Sequence, residues 1–95
     1  MLFHVRMDVR IPHDVHPERL AELNSKEHER AKELQLERKW THLWRVAGKY
    51  TNVSIFDVES PAELHDILNS LPLYPFMEIE VAVLCHHPGS LELNQ

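Results

Sequence analysis

The chain has 95 residues, 43% of them hydrophobic and 26% charged, which is the size and composition of one compact domain spanning residues 1–95. Such a chain has no room for a separate cofactor-binding domain, and it buries only roughly 60–65% of the surface its unfolded form exposes, so association with further subunits is a natural route to more burial. The formal charge of -5, from 10 basic and 15 acidic residues, argues against a general nucleic-acid binder and means that an anionic ligand must be met by a local cluster of cations.

From Leu2 to Val9 apolar and polar residues alternate, with Phe3, Val5, Met7 and Val9 on one side and His4, Arg6 and Asp8 on the other. Period two with one polar face predicts a half-buried strand, and the interspersed charge excludes a signal-peptide core. Pro12 and Pro17 bracket a loop, since each removes a backbone donor and biases its predecessor away from helix. Between Glu18 and Arg38 there is neither proline nor glycine, and Leu20, Leu23, Ala31 and Leu34 recur at helical spacing, predicting an amphipathic helix. The segment from Trp40 to Tyr50 is aromatic and β-branched enough for a strand with a bulge or bend at Gly48. Thr51-Asn52 reads as the turn into a third strand, Val53–Val58, paired with it as an antiparallel hairpin.

Ser60-Pro61-Ala62-Glu63 combines a serine N-cap, proline at the first helical position and glutamate three residues after the cap. The helix it starts carries Leu64, Ile67, Leu68 and Leu71 on one face, and Pro72 with Pro75 ends it. Alternation returns from Met77 to Val83, predicting a fourth strand with Met77, Ile79, Val81 and Val83 buried. Residues 86–95 form a tail without a period. The order β-α-β-β-α-β points to a ferredoxin-like α+β sandwich, an antiparallel sheet with two helices on one face. The other sheet face, carrying His4, Arg6, Glu78 and Glu80, is either a subunit interface or a wet surface.

Glu27 falls near the middle of the arc defined by Leu20, Leu23, Ala31 and Leu34 on the first helix. A carboxylate facing the sheet there is desolvated, which raises its pKa toward the range useful for proton transfer near neutral pH. The alternative is that Glu27 reaches only the edge of the stripe, or pairs with a core cation such as Arg45. In the next strand, alternation sends His42 and Trp44 to one side and Leu43 and Arg45 to the other, with an irregular start able to shift the register by one. An arginine fork among apolar neighbours suits bidentate capture of a carboxylate, and tryptophan faces suit a small planar ring. The rival reading packs both tryptophans into core or interface and sets Arg45 against Glu27 or Glu80. The eight histidines fall in no metal-ligand spacing, so no metal is expected. Cys85 is alone, which excludes an internal disulfide and makes the cytoplasm the default compartment. No glycine-rich phosphate loop is present, so no dinucleotide is expected, and no apolar run approaches the roughly 20 residues of a membrane span.

The opening MLFHVRMDVRIP, the WTHLWRVAGKY segment, NVSIFDVES, LHDILNSLPLYPFMEIEV and the late HHPGS together resemble the muconolactone isomerase family over nearly the whole chain. The resemblance implies a cofactor-free isomerase of aromatic breakdown, a homo-oligomer (a decamer in known members) and active sites in clefts near subunit contacts. The substrate it implies is a small unsaturated lactone carrying a carboxylate arm. On that pattern Glu27 shuttles the proton, Arg45 and Lys26 meet the negative charge, and His42, Trp40 and Tyr50 shape the pocket. The chain departs from the usual pattern where relatives have a glycine shortly before the first tryptophan, reading Glu37-Arg38-Lys39-Trp40 instead, and where many have lysine in place of His28. The competing expectations are a chloromuconolactone dehalogenase of the same family and a non-catalytic α+β-barrel module for small-ligand binding or dimerisation.

Overall fold

The computed structural model describes residues 1–91. Strict alternation in the first segment gives β1 (Leu2–Val9), which buries Phe3, Val5 and Met7. Helix α1 (Pro17–Leu36) begins where His16 Nδ1 accepts the Glu18 N–H at 3.2 Å, with Pro17 at the first helical turn. There follow β2 (Trp40–Arg45), β3 (Thr51–Asp57), α2 (Pro61–Asn69), a single 3₁₀ turn (Tyr74–Phe76) and β4 (Met77–Leu84). The expected cap of α2 is present: Ser60 Oγ accepts the Glu63 N–H at 3.1 Å, and Glu63 Oε1 accepts the Glu59 N–H at 2.8 Å.

The four strands form one antiparallel sheet in the order β2-β3-β1-β4, the ferredoxin-like α+β arrangement. Phe3, Val5, Met7, Trp40 and Phe56 from the sheet meet Leu34 of α1 and Leu64, Ile67 and Leu68 of α2 in one core, so both helices lie on the same face. The opposite face bears His4, Arg6, Asp8, His42 and Trp44 and is left uncovered.

Three features differ from expectation. Strand β2 stops at Arg45, and the chain reverses through Val46–Lys49, where the Lys49 N–H donates to the Val46 carbonyl at 3.1 Å and Gly48 takes φ 79°. Glycine enters that left-handed region without steric cost, so the hairpin turns there and Thr51-Asn52 belongs to β3. On β4 the alternation is right but its burial is not: Val81 is 48% and Val83 63% exposed although their β1 partners Val5 and Phe3 are buried, because β4 is an edge strand with a neighbour on one side only.

The third difference is at the end of α1, which stops at Leu36 rather than Arg38. The Lys39 N–H donates to the Leu34 carbonyl and the Arg38 N–H to the Gln35 carbonyl, both at 3.0 Å, and Arg38 has φ 61°. This is a Schellman cap with arginine where glycine is favoured. The left-handed conformation costs a non-glycine residue about 1–2 kcal/mol, part of which glycine returns through its freer unfolded chain. Arg38→Gly is therefore expected to stabilise the fold by about 0.5–1 kcal/mol, read as a higher urea midpoint with an unchanged m-value.

Candidate functional site

Helical spacing on α1 brings Asn24, Glu27, His28 and Ala31 to one side, facing Trp40, Leu43 and Arg45 of β2. Tyr50, Asn52, Leu73, Met77 and Val9 continue the wall of a cavity of about 260 Å³, which Thr51 and Trp44 also border. Trp40, only 3% exposed, lies at its buried end. Its mouth lies at Arg45 and Tyr50, both exposed.

Glu27 is 9% exposed, the one buried carboxylate among the described residues. Its Oε1 accepts the Leu73 backbone N–H at 2.9 Å. That donor is available for a local reason. Pro72 and Pro75 have no N–H, and those of Tyr74 and Phe76 are spent on the Leu71 and Leu73 carbonyls at 2.9 Å each. Burial pushes the Glu27 carboxyl above its ordinary value, opposed by the Leu73 N–H and by the electrostatic influence of the neighbouring His28. A carboxylate held by one oxygen, with the other free and proton affinity raised, is suited to take up and return a proton.

Arg45 lies beside the Tyr50 ring, its guanidinium carbon 5.2 Å from the ring centroid, and Nη1 donates to the Lys49 carbonyl at 3.3 Å. No carboxylate among the described residues pairs with it, so the guanidinium is available to an anionic ligand at the mouth. Trp40 reaches the cavity through an irregularity: the pairing of β2 with β3 slips between Trp40 and His42, which returns Trp40 to the side of Leu43 and Arg45 and stacks it on Phe56 at 4.8 Å.

The structure thus gathers Glu27, Trp40, Arg45 and Tyr50, and separates two other expected residues from them. His42 lies on the uncovered sheet face, stacked on Trp44 at 5.0 Å, because it alternates with Leu43 and Arg45 along the strand. Lys26 points off the exposed flank of α1, with Nζ 2.9 Å from Glu22 Oε1. Asn24 and His28 were legible as neighbours of Glu27 at helical spacing. The Leu73 amide, 46 residues from Glu27, had no local signal. Among the described residues no three His, Cys, Asp or Glu side chains gather as a metal site, and no helix is long and apolar enough to cross a membrane.

Comparison with known proteins bears on what this cavity holds. Residues 1–90 match the family described as muconolactone delta-isomerase. The chain is 55% identical over 91 residues to muconolactone Delta-isomerase 2 of Acinetobacter lwoffii, covering 96% of this chain and 95% of that one. It is 50% identical over 94 residues to muconolactone Delta-isomerase of Pseudomonas aeruginosa, covering 99% and 98%. A crystal structure of muconolactone isomerase superposes with a TM-score of 0.92 at 51% identity, covering 99% of this chain and 98% of that one.

Proposed function

The chain belongs to the muconolactone delta-isomerase family, and from that premise we propose that it isomerises muconolactone to 3-oxoadipate enol-lactone in the breakdown of aromatic compounds. The reaction relocates one proton. Glu27 removes hydrogen from the ring carbon bearing the carboxymethyl arm, the electron pair spreads through the ring onto the lactone oxygen as a dienolate, and Glu27 returns the proton to the carbon beside the carbonyl. The double bond moves, and the carboxylate ends as it began. The two carbons are separated by a single ring atom, so one side chain can serve both. The observation that carries this reading is the buried Glu27, anchored by Leu73 on one oxygen and bordering a cavity of about 260 Å³, room for one small ring and a short arm.

Arg45 holds the arm. Removing a charged hydrogen-bond partner costs about 1.5–3 kcal/mol, so Arg45→Gln is expected to raise KM roughly 10–100-fold with a smaller change in kcat. Steady-state kinetics at fixed ionic strength check this; an unchanged KM removes Arg45 from the substrate site.

The reading is tested by incubating the protein with muconolactone in deuterated water and following the product by NMR. Enol-lactone with solvent deuterium beside the carbonyl supports it, and absence of conversion overturns it. Chlorinated muconolactone in parallel separates the dehalogenase reading: chloride release with negligible isomerisation of the plain lactone would favour that rival. We further place the chain in a homo-oligomer, a decamer on the family resemblance, supported by the uncovered sheet face and by the exposed Val81 and Val83. Analytical ultracentrifugation showing a monomer at micromolar concentration would remove that part. The compartment we assign is the cytoplasm, where a lone thiol such as Cys85 stays reduced.

A further inference from the structure

Among the described residues, the buried side-chain polar atom left without a hydrogen-bond partner is Trp40 Nε1. Buried donors are nearly always paired, so an orphan in a well-packed core calls for a partner that arrives later. Trp40 is 3% exposed, borders the cavity and is fixed from behind by its stack on Phe56, so the ring has little freedom to seek a partner elsewhere. The substrate assigned above, on whose reading this inference rests, has two anionic or polar ends. Its arm carboxylate goes to Arg45 at the mouth. The lactone carbonyl sits across the ring from the arm and is carried toward the buried end, where Trp40 stands. Negative charge builds on that carbonyl oxygen when Glu27 takes the proton.

We propose that Trp40 is a catalytic residue whose indole N–H donates a hydrogen bond to the lactone carbonyl oxygen and stabilises the dienolate. A fixed, buried donor needs no reorganisation as the charge develops, which is the arrangement that favours the transition state over the ground state. Trp40 therefore does more than wall the pocket.

The test has two arms. Trp40→Phe keeps an aromatic ring against Phe56 and removes the N–H; its kcat is expected to fall about 100-fold, with KM changed less than about threefold and the midpoint of the pH–rate profile unmoved. In the second arm, on the wild-type protein and so independent of whether the variant folds, the indole N–H resonance of Trp40 is followed by NMR. The probe is the ring-saturated analogue of muconolactone, which keeps carbonyl and arm but cannot isomerise. Trp44→Phe assigns the two indoles. A downfield shift of the Trp40 resonance at saturation is expected. An unmoved resonance at saturation, or Trp40→Phe turnover within about twofold of the parent, overturns the assignment. Failure of the wild-type protein to turn over muconolactone overturns the underlying reading instead.

Discussion

Glu27→Gln is expected to fold, to melt a few degrees above the parent at neutral pH, and to lose about 10²–10⁴-fold in kcat, the usual worth of a positioned acid/base. The two effects share one cause. Burial raises the Glu27 pKa above its ordinary value of 4.5, so between the unfolded and folded pKa values the native state keeps a proton that the unfolded state has lost. Stability contributed by this group therefore falls as pH rises through that window, and the penalty of a buried carboxylate is present wherever Glu27 is ionised in the native state. Glutamine accepts the same Leu73 N–H without the charge, so the penalty disappears together with the base, a trade between stability and activity common at functional sites. The base must be ionised in the free enzyme, so kcat/KM of the parent should rise with pH through a midpoint above 4.5 and then level. Calorimetry and a pH–rate profile check both sides. Retention of more than about a tenth of parental turnover would remove Glu27 from the proton route, and a lower melting temperature would contradict its unfavourable burial.

Phe56→Ala is the substitution expected to cost the fold most, about 3–5 kcal/mol. Phe56 is fully buried near the C-terminal end of β3, opposite Phe3 on one neighbouring strand and Trp40 on the other. Truncation removes the transfer energy of the ring, opens a void and withdraws the surface on which Trp40 stacks. Domains of this size have only about 5–15 kcal/mol to lose, so urea unfolding should shift to a much lower midpoint. Activity should also fall in the fraction still folded, as Trp40 loses its support. A destabilisation below about 1 kcal/mol would mean that the core around Phe56 is far looser than the structure describes.

Fold and site were legible in the sequence to different depths. Alternation in β1, the Ser60 cap and the helical stripe containing Glu27 are patterns within one element, where side-chain direction follows from backbone period alone. The hairpin turn was misplaced because Val46 and Tyr50 look like strand residues, and only the positive φ of Gly48 shows where the chain reverses. Trp40 has the parity of His42 and Trp44, yet a slip of the ladder turns it to the opposite side; such an irregularity has no signature in residue type. For His42 the alternation itself pointed away from Arg45, and its hydrogen-bonding ring and the family resemblance, not its geometry, placed it in the pocket. Lys26 is adjacent to Glu27 in sequence but falls outside the i, i+3, i+4, i+7 row of Asn24, Glu27, His28 and Ala31 that faces the cavity.

The Leu73 amide carries a consequence for how the site fails. It fastens the Glu27 carboxylate on α1, the proton shuttle we propose, to the proline-bracketed segment between α2 and β4, a connection outside the sheet ladders. Segments of that kind open on their own, at free energies below that of global unfolding. Catalytic competence is therefore metered by a local clasp: hydrogen exchange at the Leu73 amide reports how long Glu27 stays aimed. On warming, turnover should fade while β1 and β3 still protect their amides from exchange.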